Sequence, residues 1–318
     1  MKKICATLFA SIFIFSSKAQ DGKIIQQTKL NIVPDSIFKE GDPYRKHFLP
    51  VLKYLMDSIE IYHMTYLSDG LKVNGYIDIP KKAGKYPCII YNHGGGFEWG
   101  NLSFWEYLFT MGNMCRNGYL VIASEFRGIG GSEGVEEFGG NDVHDVLNLI
   151  PSLTQLPEAD TSGIGMYGVS RGGMMTYLAL TKTKAIKAAV VLSGAEVSDI
   201  AHRPDMDSVF TARLSEYRAD KVAFCKKRSA IEHAIEICKT TPLFIIQGTA
   251  DWRVPTPAIL KLITKLYEVK QPLRFSLFEG GTHAVPEFED EVNRQAKLFF
   301  DTYLRDRTKI PSVELHGE

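Results

Sequence analysis

The chain has 318 residues, with 37 basic and 37 acidic side chains and 45% hydrophobic residues. That length accommodates one large α/β domain or two small ones. The even charge balance excludes the strongly basic surface that a nucleic-acid or anionic-membrane partner requires.

The first residues read as a secretory leader. Lys2 and Lys3 precede an apolar run from Ile4 to Phe15, and Ser17-Lys18-Ala19 supplies small residues at the −3 and −1 positions of a cleavage site. The run is too short for a hydrocarbon core of about 30 Å. A signal peptide over 1–19 is predicted, with cleavage after Ala19 and a secreted or periplasmic mature protein starting at Gln20. No Cys follows that point, which argues against a lipid anchor. Without Lys2, Lys3 and Lys18 the net charge becomes −3. No later segment is apolar enough to span a membrane, so no insertion is expected after cleavage.

The segment 20–58 is polar with scattered apolar residues and is expected to wrap the surface. From Ile59 two alternating stretches, IEIYHMTYL and LKVNGYIDIP, flank Ser68-Asp69-Gly70, the pattern of a β-hairpin. After Pro87 short, continuously apolar runs recur: CIIY (88–91), LVIAS (120–124), IGMYGV (164–169), AAVVLSG (188–194), PLFIIQG (242–248) and LRFSLFEG (273–280). Continuous apolarity marks strands buried on both faces, hence a parallel sheet. Helical patterns lie between them over Phe104–Cys115, Val143–Leu153, Gly172–Thr181, Pro257–Tyr267 and Glu287–Leu304. The fold class is therefore α/β: a mostly parallel central sheet with helices on both faces and the hairpin at its antiparallel edge. Residues 196–240 break the rhythm with charged, helical-looking stretches around 206–218 and 220–238. An insertion there would sit over the strands' C-terminal edge as a lid or cap. Residues 59–305 form the expected catalytic domain and 306–318 a tail.

Four cysteines remain beyond the leader. Cys88 and Cys115 fall in apolar strand and helix patterns. Cys225 and Cys238 could pair in an oxidising compartment, a point that spacing leaves open. No cysteine pair has a zinc-ligand spacing, and no metal or cofactor is expected.

Gly168-Val169-Ser170-Arg171-Gly172-Gly173 follows one apolar run and opens a helix. A Ser on so tight a strand-to-helix turn is held in strained backbone geometry, and its neighbours must be small. Ser170 is the expected nucleophile. A hydroxyl needs a base, and the base needs a carboxylate to fix its tautomer. His283 follows a strand in the turn Glu279-Gly280-Gly281-Thr282-His283, whereas His202 and His233 fall in the insertion and His316 in the tail. For the acid, Asp251 lies just past PLFIIQG. Asp199, Asp205, Asp207 and Asp220 lie in or beside the insertion, and Glu279 is a second candidate. The oxyanion of an acyl-transfer intermediate needs preorganised N–H donors. Arg171 supplies one from the position after Ser170, and the turn His93-Gly94-Gly95-Gly96 supplies the other, from Gly94 or Gly95. A phosphate-loop motif is absent from that turn.

GVSRGG, HGGG, FRGIGGSEG (126–134), GTADWRVP and GTH together resemble the catalytic domain of the prolyl oligopeptidase-like (S9-type) serine hydrolases, over about 60–305. The resemblance implies the α/β-hydrolase fold, a triad of Ser170, Asp251 and His283, and a backbone oxyanion donor at Gly95. His93 stands where some members carry an oxyanion-donating Tyr. About 40 residues precede the hairpin, so the likeness is to a catalytic domain without the family's propeller, and HGGG is shared with esterase-like relatives.

Other residues admit two readings. Arg127 either clamps a substrate carboxylate or pairs with Asp142 or Glu133 to hold its loop. Trp99 and Trp105, near the Gly-rich turn, and Trp252, beside Asp251, either line a substrate pocket or pack in the core. His93, Trp99, Arg127 and Trp252 are the candidate substrate-binding residues. The expected substrate is a small ester or peptide, cleaved through an acyl-enzyme by an esterase or small peptidase. An acyltransferase with the same triad, or a non-catalytic binding protein on this fold, are the alternatives.

Overall fold

A computed structural model describes residues 20–38, 41–198 and 203–314. The expected leader, Asp199, His202 and the last four residues, 315–318, lie outside them. Among the described residues a single sheet runs through β1 (Ile24–Lys29), β2 (Ile59–Ser68), β3 (Leu71–Pro80), β4 (Tyr86–Asn92), β5 (Leu120–Ser124), β6 (Ala159–Val169), β7 (Ile186–Leu192), β8 (Leu243–Gly248) and β9 (Leu273–Phe278). The spatial order is β1-β2-β3-β5-β4-β6-β7-β8-β9. The first three pairings, β1 to β2, β2 to β3 and β3 to β5, are antiparallel and the rest are parallel. This is the α/β-hydrolase architecture that the sequence led us to expect.

Alternate residues of each parallel strand enter two separate cores. Cys88 and Ile90 of β4, Ala189 and Val191 of β7, and Leu243 and Ile245 of β8 pack on one face with Val146, Met174 and Leu262. Ile89, Tyr91, Ala188, Val190, Phe244 and Ile246 pack on the other with Met111, Val292 and Phe299. Burial on both faces is why these strands read as unbroken apolar runs. The β2–β3 hairpin turns on Asp69 (φ 51°) and Gly70 (φ 82°), two left-handed residues, as a type I′ turn requires.

Three details depart from expectation. The segment 20–58 contributes β1, an edge strand exposed along most of its length, and a 14-residue helix, Arg45–Ser58, that buries Leu52 and Leu55. The helix expected over 143–153 is two short ones, Val143–Leu147 and Leu149–Leu153. Pro151 has no N–H to return to Leu147, which removes the bond that would join them. In the insertion, helices cover Pro204–Arg213, Ser215–Ala219 and Lys221–Arg228, and turns follow where helix was expected up to 238. The four described cysteines are free thiols, so Cys225 and Cys238 are not bridged.

The strand order reverses around β4. The chain leaves β4 toward β5 on one side, and leaves β6 toward β7 on the other. Asn92, the last residue of β4, pairs with Gly168 near the end of β6. The crevice at such a reversal, outside the carboxyl ends of the strands, is where α/β sheets hold ligands.

Candidate active site

Ser170 stands on the turn between β6 and the helix Arg171–Leu180, at φ 55° and ψ −120°. A non-glycine residue keeps such a conformation only when its surroundings impose it. Here they do. Ser170 N–H donates to Leu192 O at 3.0 Å, and Ser170 O accepts from Ala195 N–H at 2.8 Å. A Cβ on Gly172 would lie 1.8 Å from Asn92 O, and one on Gly168 2.4 Å from Gly172 O. The hydroxyl thus sits at the N-terminus of the following helix, where the backbone dipole favours developing negative charge.

Asp251 follows β8 and His283 follows β9, on neighbouring loops. His283 Nδ1 lies 2.9 Å from Asp251 Oδ2 and 3.1 Å from Oδ1. The carboxylate also accepts the N–H groups of Arg253 and Val254 at 2.9 Å and the Gln247 side-chain amide at 3.3 Å. Burial pushes the Asp251 pKa up, but the His283 bond, the Val254 N–H and the Ser193 hydroxyl together hold it below the usual aspartate value. The base loop is itself strained. Ala284 (φ 64°) and Val285 (φ 51°) are both left-handed, and a β-branched residue there is a genuine outlier.

Ser193-Gly194-Ala195, after β7, links the two halves of the site. Ala195 N–H holds the Ser170 carbonyl, while Ser193 Oγ accepts from the N–H of Ala284, next to His283, at 3.0 Å. Ser193 is buried and left-handed (φ 47°). Nothing in the sequence marked it beyond its place at a strand end. The Ser170 hydroxyl makes no hydrogen bond among the described residues; the acid–base pair is formed, and the nucleophile stands free at the cavity. Such contacts often tighten only with substrate bound.

The cavity beside Ser170 has a volume of about 480 Å³ and is lined by Gly95, Gly96, Phe97 and Trp99 of the Gly-rich turn, by Phe138, and by Trp252 and Arg253 of the acid loop. The insertion contributes Arg203, Asp205, Met206 and Val209 to its wall. Gly94 packs against Ser170, a Cβ there lying 3.3 Å from the Ser170 Cβ. Gly95 is left-handed (φ 76°) and has no room for a side chain, since its Cβ would meet Trp99 O at 2.2 Å. Trp99 and Trp252 are exposed at 77% and 65%.

Three pocket candidates belong elsewhere. His93 is fully buried, stacked on Phe126 at 4.4 Å with Nδ1 2.8 Å from Gly94 O. Burial takes its pKa down to about 4, so it is a neutral ring beneath the turn rather than a group facing substrate. Arg127 is buried and pairs with Asp145 at 2.7 Å and Asp69 at 2.8 Å, neither of the partners expected. Trp105 packs with Phe38, Phe48 and Phe109.

The sequence matches the prolyl oligopeptidase family over residues 105–307. The chain belongs to that family. It is 26% identical over 236 residues to the uncharacterized peptidase YtmA of Bacillus subtilis, covering 73% of this chain and 89% of YtmA. It is 28% identical to the uncharacterized peptidase YuxL of the same species, covering 68% of this chain but only 34% of YuxL. The chain thus spans most of one of these relatives and about a third of the other. Among solved structures, Pyrococcus horikoshii acylaminoacyl peptidase aligns with a TM-score of 0.67 at 24% identity, over 83% of this chain and 45% of that one. A Pyrococcus furiosus esterase aligns with a TM-score of 0.62 at 20% identity, over 79% and 94%. This prolyl oligopeptidase-family chain is a serine hydrolase with an α/β-hydrolase fold.

Proposed function

We propose that the protein cleaves small esters or amides through an acyl-enzyme on Ser170. The observation that carries this is the bonded Asp251–His283 pair, tied through Ser193–Ala195 to a strained Ser170 at the mouth of one cavity. In acylation Ser170 Oγ bonds to the substrate carbonyl carbon while His283 Nε2 takes the hydroxyl proton. The carbonyl oxygen becomes an oxyanion held by the N–H groups of Arg171 and Gly95. Collapse breaks the bond to the leaving alcohol or amine, which receives the proton from His283. Water then repeats the sequence and releases the acid.

Trp99, Trp252, Phe97, Phe138, Met206 and Val209 give the cavity largely aromatic and aliphatic walls, suited to the apolar part of such a substrate. The peptidase names of the relatives and the esterase among the structural neighbours support both bond types. The leader predicted over 1–19 supports export as well.

Fluorophosphonate labelling followed by a panel of p-nitrophenyl esters and aminoacyl amides tests the reading. Labelling of the wild type and none of a folded Ser170→Ala variant is expected. A folded variant that still labels removes Ser170 from the mechanism.

A further inference from the structure

Beyond its backbone N–H, Arg171 has one of the largest fully buried side chains among the described residues. The guanidinium lies between the rings of Phe126 and Phe138, at 4.9 and 4.8 Å. One arm meets Asp142 Oδ2 at 2.7 Å, and the other pairs with Glu136 and reaches Gly95 O at 3.4 Å. Glu136 in turn accepts the N–H of Phe97 at 2.6 Å, and Asp142 accepts that of Gly139 at 2.9 Å. A single side chain therefore joins the nucleophile turn, both ends of the Gly-rich stretch 95–97, and the loop 126–142.

Three consecutive glycines, Gly94 to Gly96, have no side chains with which to hold themselves, and glycine carries the greatest backbone freedom. Oxyanion donors act only if they are already in place when charge develops. His93 Nδ1 holds Gly94 O from within the turn and Trp99 N–H donates to Gly96 O at 3.1 Å, which leaves Gly95 O to a group outside it.

We propose that the Arg171 guanidinium is a positioning residue for the oxyanion site. It holds the Gly95–Gly96 peptide through Gly95 O and the far end of the turn through Glu136 and Phe97. It thereby sets the Gly95 N–H against the N–H of its own residue. This rests on the proposed Ser170 mechanism. A lysine keeps the charge but not the planar fork that reaches Asp142, Glu136 and Gly95 O together.

The test compares wild type, Arg171→Lys and Glu136→Gln on an ester that the wild type hydrolyses. Rates are normalised to the sites labelled by fluorophosphonate at endpoint, and binding of a trifluoromethyl ketone is measured alongside. The donors act on the transition state, so kcat per labelled site should fall roughly 10- to 100-fold with KM within about twofold. Affinity for the tetrahedral ketone adduct should fall in proportion. A purely structural role would lower the number of labelled sites and leave kcat per site and ketone affinity unchanged, and that result would overturn the proposal. Should Arg171→Lys fail to fold, Glu136→Gln decides alone, because it keeps Arg171 and an acceptor for Phe97. A wild type that neither labels at Ser170 nor hydrolyses any ester takes down the Ser170 reading and this inference with it.

Discussion

His283 Nδ1 lies 2.9 Å from Asp251 Oδ2, while two backbone N–H groups, of Arg253 and Val254, hold the same carboxylate at Oδ1. The acid is fixed on its own loop before it meets the base. It can therefore dictate the tautomer: with Nδ1–H donated to Asp251, the lone pair that takes a proton is on Nε2.

Asp251→Asn tests this directly. The amide can still accept from Val254, so the loop should keep its shape, but its NH₂ would face Nδ1 and turn the tautomer around. A fall in kcat of roughly 10⁴, with an unchanged melting temperature, is expected. Glu279 is exposed, and Glu279→Gln should stay close to wild type. The reverse pattern would move the acid to Glu279.

Arg127 makes a prediction of the opposite kind. Its partner Asp145 is completely buried and also takes the Ser68 hydroxyl at 2.6 Å and the Arg127 N–H at 2.7 Å. Arg127→Ala would strand that carboxylate, a change that costs about 3–5 kcal/mol. Denaturant unfolding should show the loss, with KM unchanged in the protein that remains folded. A raised KM at unaltered stability would restore the substrate-clamp reading.

Gly172 reports on how tightly the nucleophile turn is seated. A methyl group on it would collide with Asn92 O at 1.8 Å, and that carbonyl is backbone at the end of a central strand and cannot swing away. Gly172→Ala should therefore cost more than about 3 kcal/mol or prevent folding. Gly280→Ala is the control. Its Cβ would touch nothing within 4 Å, and only the strain of φ 70°, about 1 kcal/mol, should appear in the unfolding curve.

The contrast between these residues shows what a sequence can disclose. Ser170 and Asp251 each follow a strand buried on both faces, β6 and β8, and an unbroken apolar run ending in glycine or a turn announces such a place without any knowledge of the neighbours. His283 follows β9, an edge strand with no fully buried residue, and there the Gly-Gly turn after the strand was the signal. The edge strand β1 buries almost nothing, so no periodicity signalled it. The helix Arg45–Ser58 carries Pro50 inside it, which reads as a breaker, while Leu52 and Leu55 hold it to the domain. The partners of Arg127 and Arg171 were beyond reach for another reason. Both depend on the path of the loop 126–142, where Phe126, Gly128, Gly130, Gly131, Gly134, Phe138 and Gly139 all have positive φ. A chain that reverses that often brings Asp142 to Arg171 and Asp145 to Arg127 by geometry that no spacing rule encodes.

Glu125 gives the last prediction, one of stability against pH. It is buried at the end of β5, accepts the Leu102 N–H at 2.8 Å, and has no cation beside it among the described residues. Burial, reinforced by the nearby Glu106 charge and only partly offset by the Leu102 bond, pushes its pKa from 4.5 up to about 7. The folded protein thus holds this proton more tightly than the unfolded chain does. On this account stability is greatest below pH 4.5, declines as the pH rises from 4.5 to 7, and stays reduced above that. Glu125→Gln keeps an acceptor for Leu102 and removes the ionisation. Relative to wild type, the variant should melt at a higher temperature at about pH 8, and the gain should vanish near pH 4.5. Asp78, buried with both oxygens unpartnered among the described residues, adds a decline of the same sign to both proteins and cancels in the difference. A gap between the two melting curves that is the same at both pH values would mean that Glu125 does not titrate in this range.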